Sequence, residues 1–93
     1  LPLDPATGEV VPGDFGDHVR QALRNVEAIL KAGGSDLEHV VRVNVYLTDP
    51  SQFPLLNEAY SAVMKTPYPP RTARAVALGP YDVEIDAVGV VVK

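Results

Sequence analysis

The sequence predicts an α+β domain in which two helices cover one face of a small sheet. Two stretches of helical periodicity alternate with three of strand character, giving the order α β α β β. The last strand, "VEIDAVGVVVK", is apolar on both sides, with Ile85, Ala87 and Val91 on one and Val88, Val90 and Val92 on the other. Such a strand needs cover on both faces. The chain of 93 residues has no Cys, 46% hydrophobic residues and a net charge of -4, which describes one small globular domain over 1–93.

Residues 4–14, "DPATGEVVPGD", are a turn-rich entry whose Pro, Gly and Asp break any periodicity. In "DFGDHVRQALRNVEAILKAGG", Phe15, Val19, Ala22, Leu23, Val26, Ile29 and Leu30 recur at three- and four-residue steps and lay an apolar stripe along a helix. Asp14 caps its start, and Gly33 with Gly34 ends it. "SDLEHV" reads as a short helical turn begun by Ser35. "VVRVNVYLT" then alternates as a strand, with Val41, Val43, Val45 and Leu47 on one face and Arg42, Asn44, Tyr46 and Thr48 on the other.

Helical spacing returns in "DPSQFPLLNEAYSAVMK", with Asp49 or Ser51 as cap, Pro50 or Pro54 in the first turn, and Phe53, Leu56, Tyr60, Val63 and Met64 inward. Asn57 falls on or beside that inward face. "RTARAVAL" and "VEIDAVGVVVK" are strands joined by the turn-like "GPYD" at 79–82, a spacing that suits a hairpin. A helix that returns the chain to a parallel neighbour places both helices on the same side of the sheet. The face left bare is most economically covered by another copy of the chain.

The acidic balance lacks the basic stripe that phosphate neutralisation requires, so nucleic acid is not expected as a partner. No apolar run approaches the ~20 residues of a membrane span, and "LPLDPATGEV" has no signal-peptide pattern and no initiating Met. A cytoplasmic protein that has lost its N-terminal part is expected. His18 and His39, the only imidazoles, have neither cysteines nor metal-ligand spacing beside them, so no metal site is expected, and both are read as helix-surface or turn residues. "AGGS" reads as a helix stop rather than a phosphate loop, and no nucleotide fingerprint or serine-nucleophile elbow occurs.

Three polar residues stand in unusual settings. In "PYPPRTARAV", three prolines in four residues pre-set the backbone ahead of Arg71, at the mouth of an otherwise apolar run. Chemistry alone weighs a fixed functional guanidinium equally with a surface arginine snorkelling over apolar neighbours. Glu84 lies in the strand with two apolar faces, where an ionised carboxylate is costly without a partner or water; Arg74 on a neighbouring strand would be one. Asn57 in isolation reads as a helix residue satisfying nearby backbone.

The segments "NVEAIL", "VYLTD", "F-x-x-x-N-x-x-Y", "P-x-R-T" and "VEID", in this order and spanning nearly the whole chain, closely resemble the RidA/YjgF family of reactive-intermediate deaminases, formerly described as translation inhibitors and endoribonucleases of the L-PSP type. The resemblance implies a chorismate-mutase-like fold of the bacillus type, assembled as a homotrimer with sites between subunits. It also implies two strands and an "SGQ"-like segment ahead of residue 1, absent here, so that 1–93 is a single, N-terminally incomplete RidA-like domain.

The activity it implies is cofactor-free hydrolysis of 2-imino or 2-enamino acids to 2-keto acids and ammonia. Arg71 matches the arginine that binds the substrate carboxylate, Glu84 the acid that holds or activates the attacking water, and Asn57 a helix asparagine near the site. Ala73 stands where many members carry a cysteine, which touches thiol modification rather than hydrolysis. A planar guanidinium grips a carboxylate through two parallel hydrogen bonds, and a proline-stiffened approach lowers the entropy lost in fixing that fork. The alternative from another class is a non-catalytic regulatory trimer that uses the same arginine to hold small carboxylates. A ribonuclease is the weaker reading, since the chain offers no His-based acid–base pair.

Overall fold

The computed structural model describes residues 1–93. Helix α1 (Phe15–Ala32) starts on a reciprocal cap: the Asp14 carboxylate accepts from the Asp17 N–H at 2.9 Å, and the Asp17 carboxylate accepts from the Asp14 N–H at 3.0 Å. Two donors that a helix start leaves orphaned are thereby satisfied. The Gly33 N–H closes the other end on the Ile29 and Leu30 carbonyls, and Gly34, at φ 88°, takes the left-handed turn out of the helix. Phe15, Val19, Ala22 and Leu23 are buried, with Val26 and Leu30 packed beside them. Ile29 does not belong to this stripe: it is 73% exposed. Six residues past Leu23, it has rotated about 120° away from it, and Leu30 takes the inward position.

The turn after α1 is a single 3-10 turn, Leu37–His39, capped by Asp36 rather than by Ser35. The Asp36 carboxylate accepts from the His39 N–H, whereas the Ser35 hydroxyl is already engaged with the Val90 carbonyl at 2.6 Å. Strand β1 (Val40–Leu47) buries Val43, Val45 and Leu47 as alternation predicts, but at its start Val40 is buried and Val41 is 49% exposed. A pairing irregularity between Val40 and Arg42 explains the reversal, because one extra residue on the strand flips the face of everything before it.

Asp49 caps a 3-10 turn (Pro50–Gln52) that leads into helix α2 (Phe53–Val63), which buries Leu56, Ala59, Tyr60 and Val63. Strand β2 (Arg71–Ala75) pairs parallel with β1, and strand β3 (Val83–Gly89) pairs antiparallel with it, so the sheet order is β2-β1-β3. The expected hairpin between β2 and β3 therefore does not form. The α2 crossover carries β2 to one edge of β1, as a parallel pair requires. The 76–82 loop then wraps the end of β1, with Val76 N–H donating to the Leu47 carbonyl and Thr48 N–H to the Asp82 carbonyl, and delivers β3 to the other edge.

Both helices lie on the face made by Val43, Val45 and Leu47. The opposite face is bare within the chain and more polar than the reading of β3 predicted. It carries Asn44 and Tyr46 of β1, Thr72 and Arg74 of β2, and Glu84, Asp86 and Val88 of β3. Val90, Val91 and Val92 lie beyond the end of β3 and are about half exposed. No helix is long and apolar enough to cross a membrane.

Candidate functional site

The approach to Arg71 is fixed from both sides. It runs through a cis Thr66–Pro67 peptide, Pro69 and Pro70, and the Pro70 carbonyl accepts from the Val43 N–H at 3.0 Å. Arg71 pairs with Val43 in the parallel register, so it leaves the sheet on the helix side. There its Nη2 donates to Asn57 Oδ1 at 2.8 Å, and its Cζ lies 4.8 Å from the centroid of the Tyr60 ring. The half-buried guanidinium thus has a wall and a floor, both supplied by α2, while no carboxylate of the chain pairs with it. A cation held in this way, with donors left over, suits a planar anion.

The sequence analysis placed Arg71, Asn57 and Glu84 in one site; the chain brings together the first two. Glu84 pairs with Tyr46, whose neighbours Val45 and Leu47 point into the core, so Glu84 leaves the sheet on the bare face. Arg71 and Glu84 therefore stand on opposite faces and opposite edge strands, two strand spacings of about 4.8 Å apart in the sheet alone. Arg74 shares Glu84's face but is not its partner, because Tyr46 of the central strand lies between them.

Tyr60 was read as an inward-facing core residue of the second helix; its place under Arg71 is new. The signal was the spacing of Asn57 and Tyr60, which puts both on one side of a helix three residues apart. Tyr60 is buried, its ring lies 6.2 Å from that of Tyr68, and its hydroxyl is the one buried side-chain polar atom without a partner. Burial pushes its phenol above the usual value of 10.0, and the Arg71 charge opposes this only in part.

His18, expected on the surface, is half-buried and ties two segments together: Nδ1 meets Asp82 Oδ2 at 2.8 Å and Nε2 meets the Val11 carbonyl at 2.9 Å. Sixty-four residues separate His18 from Asp82, too far for any local pattern to have linked them. No group of three His, Asp or Glu side chains is arranged to hold a metal ion. A cleft of about 710 Å³ lies between the C-terminal halves of α1 and α2 and shares only Thr66, Pro67 and Pro69 with the Arg71 loop. Its walls carry Arg24, Glu27 and Lys31, which pair with one another, so the unpaired guanidinium is the better candidate site.

The sequence pattern of the endoribonuclease L-PSP family matches residues 1–91. A crystal structure of RidA from a Psychrobacter species superposes with a TM-score of 0.84 at 42% identity, covering 91% of this chain and 70% of that one. The chain belongs to the RidA/YjgF family. Among its RidA/YjgF relatives, a Bos taurus protein named 2-iminobutanoate/2-iminopropanoate deaminase is 40% identical over 92 residues, which are 97% of this chain and 67% of the relative. Escherichia coli TdcF, crystallised with bound serine, is 36% identical with a TM-score of 0.84 and covers 96% of this chain and 73% of its own. These matches extend the likeness from sequence motifs to the α+β architecture of two helices on a mixed three-stranded sheet.

Proposed function

We propose that this protein is a cofactor-free cytoplasmic hydrolase that converts 2-imino and 2-enamino acids to 2-keto acids and ammonia. In this reading it acts as a homotrimer with a chorismate-mutase-like arrangement and sites between subunits. The observation that carries it is Arg71: a guanidinium fixed by Asn57 and Tyr60, with no carboxylate of its own chain. The bovine relative's name supplies the reaction class, and the serine bound to TdcF is itself an α-carboxylate.

Arg71 would clamp the carboxylate of the substrate and hold its C2 in one position. A water held by Glu84 attacks C2 of the iminium, its oxygen forming the new C–O bond while one proton passes to the carboxylate. That proton is handed to the amino nitrogen, the C–N bond breaks as the hydroxyl gives its own proton to the carboxylate and closes to the carbonyl, and the released ammonia takes that proton away as ammonium. Because Arg71 and Glu84 leave opposite faces of one sheet, a second copy must bring its Glu84 to the first copy's Arg71.

The test is release of ammonia or keto acid by the purified full-length protein from imino acids made in situ by an amino-acid oxidase or a threonine dehydratase. Acceleration over the spontaneous rate is expected. Release at the spontaneous rate for several such substrates sinks the deaminase reading, and binding of keto acids without turnover identifies a regulatory trimer instead.

A further inference from the structure

We propose that Tyr60 is a positioning residue: its ring is the platform that sets the plane of the Arg71 guanidinium, so that the fork is aimed before a carboxylate arrives. This rests on the carboxylate-binding reading of Arg71 given above. A single hydrogen bond, Nη2 to Asn57 Oδ1, leaves the guanidinium free to swing about that bond. An aromatic face 4.8 Å from Cζ removes that freedom, because a cation is attracted to the ring's negative face and a planar one stacks on it. The two constraints together, one hydrogen bond and one ring face, define the fork.

The platform is itself rigid. Tyr60 is 5% exposed, sits among the core residues of α2, and is braced by the tilted ring of Tyr68 at 6.2 Å. Its hydroxyl is sealed from solvent and has no hydrogen-bond partner, so in this conformation it has no route to a substrate. Tyr60 must therefore act through Arg71 rather than on the reacting atoms. The unsatisfied hydroxyl also separates the two parts of the side chain: the ring does the positioning, and the oxygen adds nothing to it.

The experiment uses the full-length protein with Tyr60→Leu and Tyr60→Phe, read by side-chain arginine NMR and by titration with 2-ketobutyrate, a product of the proposed reaction. In the wild type, the Arg71 Nε–H resonance should be displaced by the ring current of Tyr60. Tyr60→Phe should keep that displacement and hold affinity close to wild type, whereas Tyr60→Leu should lose it and bind about three- to thirtyfold more weakly. With substrate, Tyr60→Leu should raise KM while largely sparing kcat, the mark of lost ground-state positioning.

A folded Tyr60→Leu with wild-type affinity overturns the proposal. If Tyr60→Leu does not fold, the wild-type spectrum decides, because an undisplaced Arg71 resonance shows that no platform exists. A displaced resonance in a wild type that takes up no 2-ketobutyrate supports the positioning and instead removes the carboxylate reading of the site.

Discussion

At the scale of single residues, the difference between arginine and lysine is the sharpest probe of the site. Arg71→Lys keeps the charge and the β2 backbone but replaces a planar fork by a point donor that neither stacks on Tyr60 nor reaches a carboxylate in two places. Losing one charge-assisted hydrogen bond of this kind costs roughly 1.5–3 kcal/mol, so kcat/KM for an imino acid should fall about ten- to hundredfold. Steady-state kinetics on the assembled variant checks this, and near-normal turnover would return Arg71 to the status of a surface side chain. Arg71 was legible in the sequence because its constraint is local, written in the prolines before it. Its neighbours were less so: Asn57 lies fourteen residues away, and only the crossover through α2 brings it to the guanidinium.

At the scale of elements, local chemistry is decisive at the ends of helices and weak in the pairing of strands. The α1 cap illustrates the first. Hydrogen bonding from Arg20, followed by the Asp14 N–H, holds the Asp17 carboxyl below its usual value of 3.8. A depressed carboxyl contributes stability that is present above 3.8 and is lost as the pH falls through its lowered folded-state value. Thermal melts should therefore show acid destabilisation, with a shallower slope in Asp17→Asn; Asp36 and Asp49, also depressed, act in the same direction. At neutral pH, Asp14→Ala should lower the unfolding free energy by about 1 kcal/mol, read from a denaturant midpoint.

Strand partners, by contrast, depend on contacts that no single segment encodes. "GPYD" fits a hairpin, but β1 is taken on one edge by the α2 crossover and on the other by β3, and the hairpin has no place. The same limit hid the shift at Val41, whose cause is the opposing strand. Where α1 crosses β3, a methyl added at Gly89 would come within 2.8 Å of Leu30 Cδ2 and of Ser35 Oγ. Leu30 is packed against the core and the Ser35 hydroxyl is held by the Val90 carbonyl, so neither yields freely, and Gly89→Ala should cost about 1–3 kcal/mol in the same unfolding assay.

At the scale of the whole molecule, the sequence read the bare sheet face correctly as bare but overstated how apolar it is, because Val90–Val92 fall beyond the strand. What remains on that face includes Glu84, and its separation from Arg71 makes a prediction that no single-chain site shares. If each site takes Arg71 from one copy and Glu84 from the next, Arg71→Ala and Glu84→Ala are each inactive alone, since every site in either assembly lacks one group. The two variants are mutually complementary. Where an Arg71→Ala chain lends its intact Glu84 to the Arg71 of a Glu84→Ala chain, a whole site is rebuilt. The same mixed assembly holds a boundary lacking both. Unfolding and refolding equal amounts together should restore roughly a quarter of wild-type deaminase activity, the share of boundaries that random cyclic pairing makes whole. Mixing without subunit exchange should restore none. If the two groups acted from the same chain, co-refolding would leave activity at the level of the separate variants, and a monomeric mass in solution would remove the shared site altogether.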